Sequence, residues 1–304
     1  MGDPAGVGPE LCLKAAAHPA ILEQCVPRIY GSRTILKSVA NRCSLPIEES
    51  DIVDLPFDDQ AFEPGKISEQ TGQASFDFVT ASIDAVMAND VAAVVTAPIH
   101  KEAWNAAGID YPGHTELFAE KAKSDEFCML MTSPRISCSL VTCHVGLSSV
   151  PSLLSQERIL EVIVLTYEAL KKMRKREPRL IVLGLNPHAG ENGLFGRREE
   201  ERFIVPAIEA AREQGIEIEG PLPPDTAFLP WKLDWADAHV CMYHDQGLIP
   251  FKALAFDCGI NTTLGLPIIR TSVDHGTALD IAWQNKADPS SMYAAVELAV
   301  SLTR

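Results

Sequence analysis

Basic residues are scarce in this sequence. The chain of 304 residues has 26 Lys and Arg against 41 Asp and Glu, which gives a formal net charge of -15. Such a surface repels the phosphate backbone of nucleic acids and the headgroups of anionic membranes. We therefore expect neither as a partner, and an anionic substrate would need a local basic pocket.

Long apolar runs and paired cysteines are also missing. No apolar stretch approaches the roughly 20 residues of a membrane span, and we identify no signal peptide. The eight cysteines form no Cys-x-x-Cys pair, and most lie in apolar runs. We expect reduced core cysteines in a cytoplasmic protein. A ligand or redox role stays open for Cys143 and Cys258.

Neither a Gly-x-Gly-x-x-Gly fingerprint nor a Walker sequence occurs, although predicted strands alternate with predicted helices along the chain. That alternation indicates an α/β fold with a mostly parallel sheet covered on both faces. The glycine-rich turn at residues 2–8 leads into a helix, and such a turn normally follows a strand. We therefore expect the natural start to lie upstream of Met1.

Three histidines each follow an apolar run that is typical of a buried strand: His144, His188 and His244. In a parallel sheet, the carboxyl ends of the strands share one edge, and ligands bind there. Three neutral imidazoles at that edge would suit a divalent metal ion with open positions for a substrate. Asp245 either orients His244 or is a solvated acid in a turn.

Four further segments allow both a binding role and a plain structural role. Gly113-His114-Thr115-Glu116 begins a helix, where Thr115 either caps the helix or helps to bind an anion. The glycine-rich loop at 186–198 precedes a predicted helix at 197–214 and is either a phosphate or cofactor loop or a surface loop. Lys252, Asn261 and Arg270 suit a phosphate or carboxylate, or are surface groups. Residues 274–282 form a turn entering a helix predicted at about 275–284, and this turn could bind a dinucleotide.

Six segments, in order along the chain, resemble the 4-hydroxythreonine-4-phosphate dehydrogenase family of vitamin B6 biosynthesis. They are Gly-Asp-Pro-Ala-Gly-Val-Gly-Pro-Glu (2–10), Thr-Ala-Pro-Ile-His-Lys (96–101), Gly-His-Thr-Glu (113–116), Leu-Asn-Pro-His-Ala-Gly-Glu (185–191), Met-Tyr-His-Asp-Gln-Gly (242–247) and Asp-His-Gly-Thr-Ala-Leu-Asp-Ile-Ala (274–282). One departure is Trp283, which stands where this family commonly has glycine and could alter the cofactor-side loop.

The resemblance implies an α/β fold of two α/β/α domains with the active site in the cleft between them, related to isocitrate and isopropylmalate dehydrogenases. We expect a discontinuous cofactor-side domain at residues 1–110 plus 271–304. Residues 111–270 would form a second domain that carries the metal histidines. The family also implies a homodimer with the metal site at the subunit interface.

The resemblance further assigns roles to individual residues. His144, His188 and His244 would bind one divalent ion, which could be zinc, cobalt, magnesium or manganese. The substrate would contact five residues: His114, Thr115, Lys252, Asn261 and Arg270. NAD would lie against four: His275, Gly276, Thr277 and Asp280.

The implied reaction is NAD-dependent oxidation and decarboxylation of a phosphorylated 3-hydroxy acid, 4-phosphooxy-L-threonine, to 3-amino-2-oxopropyl phosphate. Either Lys252 or Asp225 would transfer the proton. Three relatives of this reaction stay open, with 4-phospho-D-threonate, 4-phospho-D-erythronate or a cyclic dihydrodiol dicarboxylate as substrate. A metal-dependent phosphate-ester hydrolase is the alternative from another class, but such enzymes usually use bridging carboxylates. A sensor that binds a phosphorylated metabolite is the third class.

Overall fold

Strands and helices alternate along the chain in the computed structural model, which describes residues 1–57 and 62–303. The strands are β1 (Ile29–Gly31), β2 (Ile52–Asp54), β3 (Val94–Thr96), β4 (Cys128–Thr132), β5 (Ser137–Leu140), β6 (Arg179–Leu183), β7 (Glu217–Leu222), β8 (Ala238–Cys241), β9 (Ile260–Leu264) and β10 (Arg270–Val273). The α-helices are α1 (Gly8–Ala16), α2 (Pro19–Leu22), α3 (Arg33–Cys43), α4 (Glu69–Met87), α5 (Lys101–Ala106), α6 (His114–Ala122), α7 (Val150–Leu153), α8 (Gln156–Arg174), α9 (Val205–Glu213), α10 (Pro230–Trp235), α11 (His244–Ala255) and α12 (Ser290–Thr303). Among the described residues, no helix is both long and apolar enough to cross a membrane.

The chain divides into two units. The first comprises Met1–Asp125 and Leu266–Arg304, and the second comprises Glu126–Gly265. The approximate boundaries predicted at 110 and 270 lie 15 and 5 residues from these divisions. Helix α6 belongs to the first unit because its Leu117 and Phe118 pack with Trp104 in one hydrophobic cluster. Arg270 belongs there too, since it begins β10, which pairs with β3.

Two parallel strand pairs lie in the first unit. β1 pairs with β2, and β10 pairs with β3. A cavity of about 650 Å³ is lined by residues of β1 and β3 and of helices α1, α4 and α12. Among the described residues, the β1–β2 pair and the β10–β3 pair belong to separate sheets.

The second unit contains six strands in the order β9-β4-β5-β8-β6-β7. The last four are mutually parallel, whereas β4 runs antiparallel to both β5 and β9. The predicted parallel arrangement therefore holds for the part of the sheet that carries the three histidines.

Both faces of this sheet are buried, as the continuous apolar runs predicted. Leu180 and Val182 of β6 pack with α8 and α9 on one face. Ile181 and Leu183 of the same strand pack with α11 on the other. The alternation along one strand produces a helix–sheet–helix layering in this unit.

The prediction of a helix over about 275–284 is wrong. Only a 3₁₀ turn forms there, at Leu279–Ile281. Ala278, Trp283 and Asn285 all have positive φ angles, which a right-handed helix cannot contain.

Candidate functional site

The three histidines follow three neighbouring parallel strands of the second unit. His144 comes after β5, His244 after β8 and His188 after β6, and β8 lies between the other two. All three therefore stand beyond the carboxyl ends of the strands, at the edge predicted from the sequence.

His144 and His244 lie close together, with ring centroids 5.8 Å apart. The backbone beyond their strands explains this proximity. Val141 N–H donates to Cys241 O at 2.9 Å, and the Thr142 hydroxyl donates to Met242 O at 2.8 Å. The pairing of β5 with β8 thus continues past both strands and brings the two imidazoles together.

His244 is the first residue of α11, where the sequence predicted a turn. Its Nδ1 lies 2.7 Å from Asp245 Oδ1. A carboxylate on one ring nitrogen orients an imidazole and raises the basicity of the other nitrogen, as is common for metal-binding histidines. Asp245 thus contacts His244 while its own side chain is 69% exposed, so both interpretations of Asp245 stay open. Nε2 is the ring nitrogen that this contact leaves for another partner.

His188 lies in a loop of unusual backbone geometry. The five residues 188–192 all have φ between 43° and 81°, in the left-handed region. The imidazole is 64% exposed, and its Nδ1 lies 3.0 Å from Glu191 Oε2. His188 also contacts Phe195 edge-on, with centroids 5.9 Å apart. As at His244, a carboxylate holds Nδ1 and leaves Nε2 as the nitrogen suited to a metal ion.

The donor chemistry of these side chains fits a divalent metal ion. Across residues 1–57 and 62–303, no group of three or more His, Cys, Asp or Glu side chains is arranged to hold a metal ion. The chain presents a His144–His244 pair and, separately, His188.

Gln246 is a structural residue that the sequence analysis missed. Its Oε1 accepts from Met242 N–H at 2.7 Å, and its Nε2 donates to Gly184 O at 2.8 Å. The buried amide therefore links the end of β8 to the end of β6. Its motif, Met-Tyr-His-Asp-Gln, gave no sign of a contact with a residue so distant in sequence.

Arg270 lies buried in the first unit, only 2% exposed. Its Nη2 donates to Thr96 Oγ1 at 2.8 Å, and its guanidinium lies over the Phe118 ring at 5.6 Å. Burial lowers the pKa of Arg270 to about 10, with Glu116 opposing the shift. The side chain therefore keeps its charge at neutral pH.

His114 lies near this guanidinium. Burial, and then the charges of Arg270 and Lys101, hold the pKa of His114 well below its usual value. Positive charge thus gathers here in an acidic protein, which suits an anionic group of a ligand. Lys101 was not among the predicted residues, although it closes the Thr-Ala-Pro-Ile-His-Lys segment.

Thr115 is not the N-cap of its helix, so the first of its two predicted roles is wrong. Helix α6 begins at His114, and Gly113 is the N-cap, without a side-chain hydrogen bond. His114 and Thr115 therefore lie in the first turn, where main-chain N–H groups favour an anion. This position keeps both residues as candidates for substrate binding.

Three further predicted residues lie in the second unit. Lys252 is on α11, with Nζ 5.5 Å from the centre of the Phe256 ring. Asn261 is on β9, with Nδ2 3.4 Å from Met129 Sδ. Asp225 is exposed in the loop that follows β7. These three residues have different surroundings, and the choice between Lys252 and Asp225 as the proton carrier stays open.

The predicted cofactor residues lie in the first unit. His275, Gly276 and Asp280 are exposed, whereas Thr277 is buried. Thr277 O accepts from Val7 N–H at 3.0 Å. A Cβ at Gly6 would come within 2.9 Å of Thr277, so only glycine allows this approach. The amino-terminal glycine-rich turn therefore packs against the segment predicted to bind NAD.

The backbone of Trp283 has a φ angle of 60°, in the left-handed region that glycine adopts most easily. The indole is buried and donates from Nε1 to Pro4 O at 2.9 Å, and it packs edge-on against Phe62. These contacts offset the backbone strain of a bulky residue at positive φ. Trp283 thus links the segment predicted to bind NAD to the amino-terminal turn.

All eight cysteines are free thiols, and four of them, Cys43, Cys128, Cys138 and Cys241, are buried. Burial raises the pKa of Cys128 to about 12, so this thiol stays protonated. Cys143 is half-buried, with Sγ 4.0 Å from Met129 Sδ. These surroundings are those of packed core cysteines.

Comparison with known proteins finds a matching family, similar sequences and a similar crystal structure, each over nearly the whole chain. The family described as "Pyridoxal phosphate biosynthetic protein PdxA" matches residues 16–299. A 4-hydroxythreonine-4-phosphate dehydrogenase of Desulforapulum autotrophicum is 44% identical, over 98% of this chain and 93% of its own length. A D-threonate 4-phosphate dehydrogenase of Pectobacterium atrosepticum is 40% identical, over 99% of this chain and 97% of its own length. The crystal structure of the Klebsiella pneumoniae 4-hydroxythreonine-4-phosphate dehydrogenase superposes with a TM-score of 0.85 at 39% identity, covering 100% of this chain and 98% of that one.

Proposed function

We propose that this chain, which belongs to the pyridoxal phosphate biosynthetic protein PdxA family, oxidises 4-phosphooxy-L-threonine. The relatives compared above are dehydrogenases with an α/β fold like that of isocitrate and isopropylmalate dehydrogenases. The reaction would be 4-phosphooxy-L-threonine + NAD⁺ → 3-amino-2-oxopropyl phosphate + CO₂ + NADH. The C3 hydroxyl loses its proton and C3 its hydride, and the ketone forms. The C–COO⁻ bond then breaks, and the carbon that loses CO₂ takes up a proton.

Residues of this chain would bind the substrate and move the protons. Arg270, His114 and Thr115 would hold the phosphate, because positive charge and helix N–H groups meet there. Asn261 and Lys252 would contact the rest of the substrate. Either Lys252 or Asp225 would take the hydroxyl proton and return one to carbon.

Two bound groups would complete the site. NAD would supply the hydride acceptor, and a divalent ion would supply Lewis-acid polarisation of the substrate oxygens. His144, His188 and His244 would hold the ion. His275, Gly276, Thr277 and Asp280 would lie against NAD, where the exposed Gly276 has open space around its Cα.

We further propose a homodimer in which the metal site is completed between subunits. Two observations support this. The described part of one chain holds no three-ligand group. The segment after His144 exposes apolar side chains, with Val145 43%, Leu147 67% and Leu153 47% exposed, and a second copy would cover them.

The observation that carries the proposed function is the placement of three histidines beyond three adjacent parallel strands, with two rings 5.8 Å apart. A direct assay follows NADH absorbance and free phosphate with 4-phosphooxy-L-threonine as substrate. NADH formation that stops after exhaustive chelation and returns with Zn²⁺, Co²⁺, Mg²⁺ or Mn²⁺ supports the proposal. Full NADH formation without metal refutes the metal role, and phosphate release without NADH indicates a hydrolase.

A second substrate is favoured by one comparison. The Pectobacterium relative, a D-threonate 4-phosphate dehydrogenase, is nearly as similar to this chain as the 4-hydroxythreonine-4-phosphate dehydrogenases are. D-Threonate 4-phosphate carries a hydroxyl where 4-phosphooxy-L-threonine carries an amine. Measuring kcat/KM for both compounds, and for 4-phospho-D-erythronate, decides which is the substrate.

A further inference from the structure

Two consecutive carboxylates lie buried beneath the loop that carries His188. Glu199 is 4% exposed and Glu200 is 2% exposed. Burial of one carboxylate is costly, and burial of two neighbours requires strong hydrogen-bond donors around them. The donors come from the residues just before and just after the His188 loop.

Glu200 binds the start of the loop. Its Oε1 accepts from Leu185 N–H at 2.9 Å and from Asn186 N–H at 2.8 Å. Its Oε2 accepts from Asn186 Nδ2 at 3.0 Å. One carboxylate therefore fixes the backbone and the side chain of the residue that stands two positions before His188.

Glu199 binds both ends of the loop. Its Oε2 accepts from Asn186 Nδ2 at 3.1 Å and from Arg197 N–H at 2.7 Å. Burial raises the pKa of Glu199, but the hydrogen bonds from Arg197 and Asn186 outweigh burial and leave the pKa lowered. This carboxylate therefore stays ionised and joins residue 186 to residue 197.

The loop between these anchors is strained and closely packed. Its left-handed residues His188, Ala189, Glu191 and Asn192 are not glycine, and such residues rarely adopt this conformation. A Cβ at Gly190 would come within 2.6 Å of Glu200 Oε2, and one at Gly196 within 2.5 Å of Glu199 Oε2. The loop thus closes directly onto the two carboxylates, whose contacts must offset its strain.

We propose that Glu199 and Glu200 are positioning residues that hold Asn186 and thereby fix His188 in its left-handed loop for metal binding. This inference rests on the proposed function, in which His188 is a metal ligand. Because Asn186 Nδ2 faces both carboxylates, a flip of the amide would place its oxygen against negative charge. The arrangement therefore sets one orientation of Asn186 and one path for the loop.

The test compares Glu200→Gln and Glu199→Gln with Glu209→Gln, a matched control on the exposed side of α9. The amide that Glu200→Gln introduces can take two orientations. In one, its NH₂ group faces the NH₂ group of Asn186, and in the other its NH₂ group faces the main-chain N–H groups of Leu185 and Asn186, so a hydrogen bond is lost in either case. We expect Zn²⁺ or Co²⁺ affinity, measured by titration calorimetry on folded apo-protein, to fall at least about tenfold. Hydrogen exchange of amides 185–190 should accelerate, while Glu209→Gln should match the wild type in both measurements.

The two readouts separate the failure of this inference from the failure of the proposed function. If metal affinity stays within about twofold of the wild type, or if exchange in the loop is unchanged, the positioning role is wrong. If the wild type binds no divalent ion, the proposed metal function fails, and loop exchange in Glu200→Gln alone then decides whether the carboxylates hold the loop. Should Glu200→Gln not fold, Glu199→Gln, which keeps the Leu185 and Asn186 N–H contacts, takes its place.

Discussion

At the scale of single residues, His188 allows a clean separation of metal binding from folding. The side chain is 64% exposed, so its replacement should change the free energy of unfolding by less than about 0.5 kcal/mol. Asparagine is the appropriate substitute because it tolerates positive φ better than alanine does. We expect His188→Asn to lose its bound divalent ion, measured by elemental analysis of the purified protein, while the urea midpoint stays near that of the wild type. Full retention of the metal would remove His188 from the ligand set.

Arg270 allows a test of the proposed phosphate subsite at the same scale. Arg270→Lys keeps a positive charge but loses the planar fork, which donates to Thr96 and stacks on Phe118. We expect KM for the phosphorylated substrate to rise about tenfold or more. KM for NAD should stay unchanged, and Thr96→Val should show a smaller effect of the same kind. An unchanged substrate KM in Arg270→Lys would place the phosphate elsewhere.

Predictability from the sequence differed among residues for a physical reason. The position of the three histidines was predictable because apolar runs identify strands, and parallel strands end at one edge of a sheet. Gln246, Glu200 and Lys101 were not, because each acts on residues distant in sequence. Gln246 contacts Gly184, and Glu200 contacts Leu185. A buried Glu in a charged stretch such as Glu199–Arg202 has the same local pattern as a solvated one.

At the scale of elements, the helix predicted over 275–284 fails because part of its backbone is left-handed. The stretch 275–284 has helix-like composition, but positive φ at Ala278 and Trp283 prevents the helix. Tertiary contacts hold those conformations, for example the Trp283 indole on Pro4 O. The buried strands β5, β6 and β8 were predicted because each has an apolar run. Strands β9 (INTTL) and β10 (RTSV) are comparably buried but polar in sequence, and they were not predicted.

The loop that carries Asp225 depends on one buried histidine of β8. His239 Nε2–H donates to Ala227 O at 2.9 Å, and its ring stacks on Phe228 with centroids 4.6 Å apart. Burial lowers the pKa of His239 from 6.5 to about 4, although hydrogen bonds to Ala227 and Ser137 oppose the shift. The folded state therefore keeps this ring neutral at a pH where the unfolded chain takes up a proton.

The resulting stability should depend on pH in a defined window. Because the folded pKa is below the unfolded value of about 6.5, the stabilisation is complete above pH 6.5 and is lost as pH falls toward 4. The loss amounts to about 3 kcal/mol over that range. Urea unfolding at pH 7, 5.5 and 4 should show a flatter pH dependence for His239→Gln than for the wild type. The exposed His275→Gln should keep the wild-type dependence, and identical slopes in all three proteins would contradict the assignment.

At the scale of the whole molecule, the proposed homodimer concerns how the three histidines are distributed between subunits. The described residues of one chain supply a His144–His244 pair and a separate His188, and they hold no three-ligand group. An isologous dimer would present each surface twice, so that the pair of one subunit could meet His188 of the other. Exposed Leu147, close to His144 in sequence, would be covered in the same contact.

Mixed dimers test this arrangement directly. His144→Asn and His188→Asn proteins should each be inactive alone. After subunit exchange, one site of each mixed dimer would combine an intact His144–His244 pair from one chain with an intact His188 from the other. Random pairing should then restore about a quarter of wild-type NADH formation. A mixture of His144→Asn with His244→Asn is the matched control, because both substitutions damage the pair and no site is left complete. If neither mixture recovers activity, all three histidines of a site come from one subunit. If both mixtures recover activity, His144 and His244 of one site come from different subunits.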